Sequence, residues 1–309
     1  MRPILTSEGS FPRQSGSPEE AILRAVDFQR RYGLGLLTDG EQRADMLAIY
    51  DSLPGIRSVG GIPRIVGRVL PLDDPAGFAK IRDLDFLRKM FPDLRFRVNL
   101  TGPTTFAFAC ASSGAGPAYR SAIDPALHDD LTESIRPIAR EVNRRGADLQ
   151  LDDPILSQGM RDYGSALQRL DAIASEVPRE KTSVHVCGGL IRGKVLDALL
   201  RLENVSTLNL AFAGRLEREN VPLLDRKVWE DRDMFLGAGC ISAQIARVEE
   251  IMSPEAVTGL LRTIADHVTS ERIRYVLPDC GFRATPAEFV PQILENMRRG
   301  FDGAFAKGA

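Results

Sequence analysis

The chain has 309 residues, 43% of them hydrophobic and 27% charged, with a formal net charge of −2. This is the composition of an ordinary globular protein large enough to bury a substantial core, and its charge balance offers nothing to nucleic acid or an anionic membrane. No apolar run approaches the roughly 18 residues of a membrane span. The N-terminus lacks the basic-then-apolar pattern of an export signal, and four scattered cysteines do not form a disulfide framework, so a cytoplasmic protein is expected.

In chain order, short β-like runs alternate with helix-like segments. Residues 1–12 offer a first strand. Ser17 before Pro18 reads as a helix N-cap with proline at the first helical position, opening a helix over residues 18–31. A strand over 35–39 follows, ending in Asp39-Gly40-Glu41. Residues 64–69 read either as a strand or as part of a hairpin. Next come a strand over 95–101, ending in Thr101-Gly102-Pro103, a helix over 127–145, and a strand over 148–152 before Asp153-Pro154. A helix over 164–177 leads to the strand 183–187, carrying His185-Val186-Cys187, and a helix over 192–202 follows. Strands over 206–212 and 234–239 precede a helix over 254–270, which Ser253 and Pro254 open. The last strand, 274–278, runs into Asp279-Cys280-Gly281. Several runs read as apolar on both faces, as in parallel strands covered by helices. The count near eight, without a glycine-rich phosphate loop after the first strand, favours an α/β fold of the closed (β/α)₈ TIM-barrel type, one domain spanning residues 1–309.

The polar residues gather at the C-terminal ends of the strands, the catalytic face of such a barrel. His185 and Cys187, two apart on a strand, point the same way and can converge on one ion. His-x-Cys alone also describes a buried pair with no ligand role. Cys280 at the same edge supplies a second thiolate, and three N/S donors with an open fourth position are the pattern of a catalytic zinc. Zn²⁺ in such a site holds a substrate thiol as the nucleophilic thiolate. Asp152 and Asp153 could grip a substrate amine or simply cap the following loop, and because they point in opposite directions only one of them faces the mouth. Asp39 and Glu41 share a face and could anchor an amino group, with surface solvation as the alternative for Glu41. Cys110 and Cys240 read as packing residues, and His128 and His267 as helix residues without a site role.

These motifs resemble those of the cobalamin-independent methionine synthase family, in its C-terminal catalytic barrel. The matching stretches are Gly9-Ser10-Phe11-Pro12, Asp39-Gly40-Glu41-Gln42-Arg43 with Asp45-Met46, and Leu100-Thr101-Gly102-Pro103. They continue with Leu151-Asp152-Asp153-Pro154, His185-Val186-Cys187-Gly188 and Pro278-Asp279-Cys280-Gly281, in the family's order. The likeness is greatest to short, single-barrel archaeal-type members. It implies one zinc ion per chain on His185, Cys187 and Cys280, with Ser10, Glu41 and Asp152 holding the amino-acid part of homocysteine during methyl transfer to its sulfur. Two departures stand out. Ala211 occupies the slot of a zinc-binding Glu, leaving three protein ligands. Ile241 occupies the slot of the catalytic His of folate-using members, which points to a methylcorrinoid or another donor rather than a simple folate, delivered with or without a partner protein. A related S-alkyl transfer, of the epoxyalkane:coenzyme M kind, and a ligand-binding barrel that has lost catalysis are the alternatives.

Overall fold

Strand follows helix through almost the whole chain. The computed structural model describes residues 2–59, 62–112, 114–160, 162–190 and 194–306. The strands are β1 (Ile4–Leu5), β2 (Ile56–Val59), β3 (Ile62–Ile65), β4 (Arg97–Thr101), β5 (Asp148–Asp152), β6 (Thr182–Val186), β7 (Thr207–Ala211), β8 (Phe235–Ile241) and β9 (Ile273–Pro278). The helices are α1 (Pro18–Arg31), α2 (Ala79–Met90), α3 (Pro103–Ala111), α4 (Pro125–Arg144), α5 (Tyr163–Ala174), α6 (Val195–Leu199), α7 (Arg215–Asn220), α8 (Arg226–Asp231), α9 (Pro254–Val268) and α10 (Val290–Phe305).

Seven strands form one parallel sheet in the order β1-β9-β8-β7-β6-β5-β4. Leu36 and Leu37 join its two edges, through parallel bridges from Leu36 to Thr6 and from Leu37 to Phe96. With that segment as an eighth stave the sheet closes, and the (β/α)₈ barrel expected from the alternation is the fold observed. Closure also removes the exposed edges that an open sheet leaves.

Two details differ from the sequence reading, and a third takes one of the two forms that reading left open. The strand expected over residues 35–39 contracts to the two-residue bridge. β3 is no barrel strand: it pairs antiparallel with β2 in the register Ile56↔Ile65, so the hairpin reading of this stretch holds. The helix expected over residues 192–202 is the short α6, and residues 191–193 lie outside the described part. The two proline-led helices start as expected. Ser17 accepts from Glu20 N while the Glu20 side chain answers to the Ser17 backbone, a reciprocal capping box, and Ser253 accepts from Ala256 N.

The strands also correct the expectation of two apolar faces. In β4 to β7, Leu100, Leu149, Leu151, Val184, Val186, Leu208 and Leu210 are buried in the main core that includes the helices. The alternate residues Asn99, Gln150, Asp152, His185 and Asn209 are buried polar groups that turn to the barrel interior. The period of two is therefore apolar outward and polar inward. Ile4, Leu36, Tyr275 and Leu277 form a separate small apolar cluster beside them.

Candidate metal centre and active site

Parallel register sets the site. Asp152 of β5 pairs with His185 of β6, and His185 pairs with Asn209 of β7, so the three stand in one tier. Cys187 follows β6 directly. Gly188 after it has φ +108, a conformation that L side chains rarely adopt, and a Cβ there would lie 2.8 Å from Ser157 Oγ. Beyond β9, Asp279 fixes the turn that presents Cys280. Its backbone N–H donates to Ile241 O at 2.9 Å, and its carboxylate accepts from Ala243 N at 2.8 Å and Ser242 Oγ at 3.2 Å. A Cβ at Gly281 would press on Ser10 Oγ, so a side chain there would force the Ser10 hydroxyl to move.

The donor atoms of His185, Cys187 and Cys280 all lie within 4.8 Å of one another. His185 Nδ1 donates to Asn209 O at 3.2 Å, which leaves Nε2 for the thiols. Gln244 Nε2 donates to Cys280 Sγ at 3.4 Å. Hydrogen bonds from Cys187, His185 and Gln244 hold the Cys280 thiol well below its ordinary range, whereas Cys187 is pushed up by its bond to Cys280 and by burial. Burial works against a charged His185, yet the Glu8 carboxylate and the two sulfurs outweigh it and raise its pKa. Among the described residues these three form the group with metal-ligand spacing, and one imidazole with two thiols is a donor set that zinc favours. A tetrahedral zinc brings such donors to within about 4 Å of one another, so small side-chain rotations close the set. The residues fit the ion.

A cavity of about 570 Å³ opens over the thiols, lined among others by Cys187, Cys280, Ala211, Arg215, Ser242 and Gln244. Beside it stands the acidic half of the site. Asp152 Oδ1 accepts from Gln150 Nε2 at 2.7 Å and Oδ2 from Asn99 Nδ2 at 3.0 Å; burial raises its pKa. Asp153 points the other way and caps α3, accepting from Thr105 N at 2.7 Å and Thr105 Oγ1 at 2.6 Å. The two side chains point in opposite directions, as expected of neighbours on an extended chain. Glu41 is buried, so surface solvation does not describe it. It takes φ +52, with its N–H on Asp39 Oδ1 at 2.9 Å. Burial, reinforced by Asp39 and Asp152, raises its pKa to about 7 against the pull of Lys80 and Arg283. Ser10 is buried, and its carbonyl accepts from Phe282 N at 2.8 Å.

Residues 101–300 match the family model of the cobalamin-independent synthase catalytic domain. A methionine synthase of Methanothermobacter thermautotrophicus is 32% identical, over 95% of this chain and 98% of that protein. One from Methanocaldococcus jannaschii is 27% identical over 90% of this chain and 86% of its own length. In fold, the chain superposes on a B12-independent methionine synthase from Shewanella sp. W3-18-1, solved with selenomethionine, with a TM-score of 0.77 at 17% identity, covering 98% and 97% of the two chains.

The chain belongs to the cobalamin-independent methionine synthase family. It is an enzyme of the methyltransferase class.

Within that family the two departures read from the sequence take physical form. Ala211 lines the cavity over the thiols, and no described carboxylate joins the three-donor group. Ile241 is fully buried at the end of β8. Cys110 and Cys240 are buried, as packing residues should be. His128 lies in α4 with Nε2 on Ala122 O at 2.8 Å, and His267 lies in α9.

The sequence reading missed Glu8, Lys80, Gln150 and Arg283. Lys80, buried on α2, stands 3.4 Å from Asp39 and 4.0 Å from Glu41. Arg283 donates to Glu41 O at 2.6 Å, and its Nε and Nη1 are buried without a partner. Gln150 and Asn99 were legible in the polar alternation of β4 and β5. Lys80 carries no local signal, because only the packing of α2 brings it to Asp39.

Proposed function

We propose that this chain is a zinc-dependent methyltransferase that acts on the thiol of homocysteine or a similar small thiol. The observation that carries the reading is the convergence of His185, Cys187 and Cys280 at a barrel mouth that also holds the buried carboxylates of Glu41 and Asp152, the latter in register with His185. Zinc, held by these three residues, would supply the Lewis acidity that keeps a thiol ionised at neutral pH. Glu41 and Asp152 would take a substrate ammonium, and Ser10 would position the adjoining amino-acid atoms. The partnerless guanidinium nitrogens of Arg283 suit a carboxylate beside them. Together these contacts would fix the sulfur against the donor and turn an encounter into an oriented displacement.

The cavity over the thiols leaves room for the donor. No histidine stands at Ile241 to protonate a folate nitrogen, which supports a methylcorrinoid or another activated methyl group, free or brought by a partner protein, over a simple folate. All of this chemistry sits on one barrel, residues 1–309 forming the single catalytic domain, and a cytoplasmic setting suits its reduced thiols. No described helix is long and apolar enough to cross a membrane.

The test offers zinc-loaded protein a mixture of homocysteine and coenzyme M, with methylcobalamin or methyltetrahydrofolate as donor, and reads the products by mass spectrometry. Methionine formed from methylcobalamin is expected. Methylated coenzyme M alone would move the enzyme to a different thiol, and no methylated thiol from either donor would overturn the reading.

A further inference from the structure

Glu8 lies just past β1, two residues beyond Thr6, which bridges to Leu36, and faces the interior. Its side chain is 2% exposed, and Oε1 stands 3.1 Å from His185 Nδ1. Its second oxygen, Oε2, accepts from Gln150 Nε2 at 2.8 Å. The orientation of that amide is fixed, because Gln150 Oε1 accepts from Asn209 Nδ2 at 2.7 Å while Nε2 also serves Asp152. Glu8 is thereby held with Oε1 turned to the imidazole. The neighbouring Gly9, at φ +134, lets the backbone pass against the Asn99 amide, which donates to Glu8 O at 2.7 Å.

Oε1 itself has no hydrogen-bond partner, despite its 3.1 Å approach, because the ring N–H is aimed at Asn209 O. A buried carboxylate oxygen without a donor is costly. A small turn of the imidazole about its own plane would hand the Nδ1 proton to Oε1, and a ligand pulling on Nε2 is what would turn it. Glu8 is not one of the metal-spaced donors, so it stands behind the histidine rather than beside the thiols.

From this juxtaposition we propose that Glu8 is the positioning carboxylate of the metal centre: it accepts the Nδ1 proton of His185 and so fixes the ring with Nε2 toward the ion. Such outer carboxylates set the tautomer and the basicity of a ligating imidazole. Through Gln150 the same carboxylate is tied to Asp152, so the arms that hold metal and substrate share one amide. The inference rests on the zinc reading above.

The experiment compares wild type with Glu8→Gln, which keeps the shape and removes the charge, and with Glu8→Ala. Zinc affinity is measured by competition with a chromophoric chelator. Losses of about 10- to 100-fold are expected, larger for Ala than for Gln. Imidazole ¹⁵N spectra of the zinc-loaded protein give a second readout, tractable with only three histidines in the chain. They should place the metal on Nε2 of His185 and a hydrogen-bonded proton on Nδ1, whose resonance moves in Glu8→Gln. Thermal unfolding of the metal-free proteins separates positioning from folding: the metal-free Glu8→Gln form should melt with wild type. Equal zinc affinity in wild type and both variants, or zinc on Nδ1, would overturn the role of Glu8 while leaving the zinc site intact. Wild-type protein that binds no zinc would overturn both.

Discussion

The two sides of the barrel mouth are built on different principles. On one side, His185 and the two cysteines sit at the ends of β6 and β9, where parallel pairing fixes the backbone and the donors need only converge. On the other, Glu41 stands on a loop in a left-handed conformation and is held between Lys80 and Arg283. The first side is a soft donor set whose worth depends on geometry. The second is a charge arrangement whose worth depends on protonation and dielectric. The comparison teaches that metal and substrate binding should fail separately, each to its own kind of perturbation.

The largest expected effect is on the sulfur side. Cys280→Ser takes away one of three protein donors, and where only three exist the loss is not made up by a neighbour. Zinc should fall from about one per chain to none after dialysis, by elemental analysis, and methyl transfer should fall with it. An active, zinc-replete Cys280→Ser protein would break the division at its root.

The next effect lies on the acidic side. Asp152→Asn and Glu41→Gln each remove one charge-assisted contact to a substrate ammonium, worth about 1.5–3 kcal/mol, or roughly 10- to 150-fold in affinity. Zinc content should stay near one in Glu41→Gln, and calorimetric titration with homocysteine measures the loss. Asp152→Asn is the sharper variant, because Gln150 links Asp152 to Glu8. A simultaneous fall in zinc affinity there, absent in Glu41→Gln, would show the two sides joined through that amide.

How much of this was legible in the sequence follows the same division. His185, Cys187 and Cys280 were readable because each ends a strand, and strand ends in a barrel meet at one face. The stave that closes the barrel was readable as a strand over residues 35–39, although only Leu36 and Leu37 make its bridges, and the closure itself was readable only as a count. Glu8 was invisible, because its meaning depends on β1 lying across the interior from β6, a relation of tertiary structure that no local pattern carries. Lys80 was invisible for the same reason: a lysine on an amphipathic helix reads as solvated surface, and only packing shows it buried beside Asp39.

The smallest effect is the most discriminating. Glu41, at about 7, is half protonated near neutrality, and only its ionised form attracts an ammonium. The contribution of this carboxylate to substrate affinity should therefore be nearly constant well above pH 7, where the substrate's own ammonium and thiol set any remaining slope. Affinity should weaken by about tenfold per unit as pH falls below 7, until the protonated form's own affinity sets a floor. Burial is what raises this carboxyl, while the positive charge of Lys80 draws it back down. Lys80→Met keeps the bulk and deletes that charge, so the midpoint should move upward and affinity at pH 7 should drop by roughly three- to tenfold, with little change at higher pH. The variant also leaves Asp39 without its buried cation, so its thermal stability should fall as well. That loss does not mimic the predicted result, because destabilisation moves the fraction folded and not the pH at which the folded protein changes affinity. A midpoint that stays in place would take the titration, and with it the pH-dependent ammonium contact, away from Glu41.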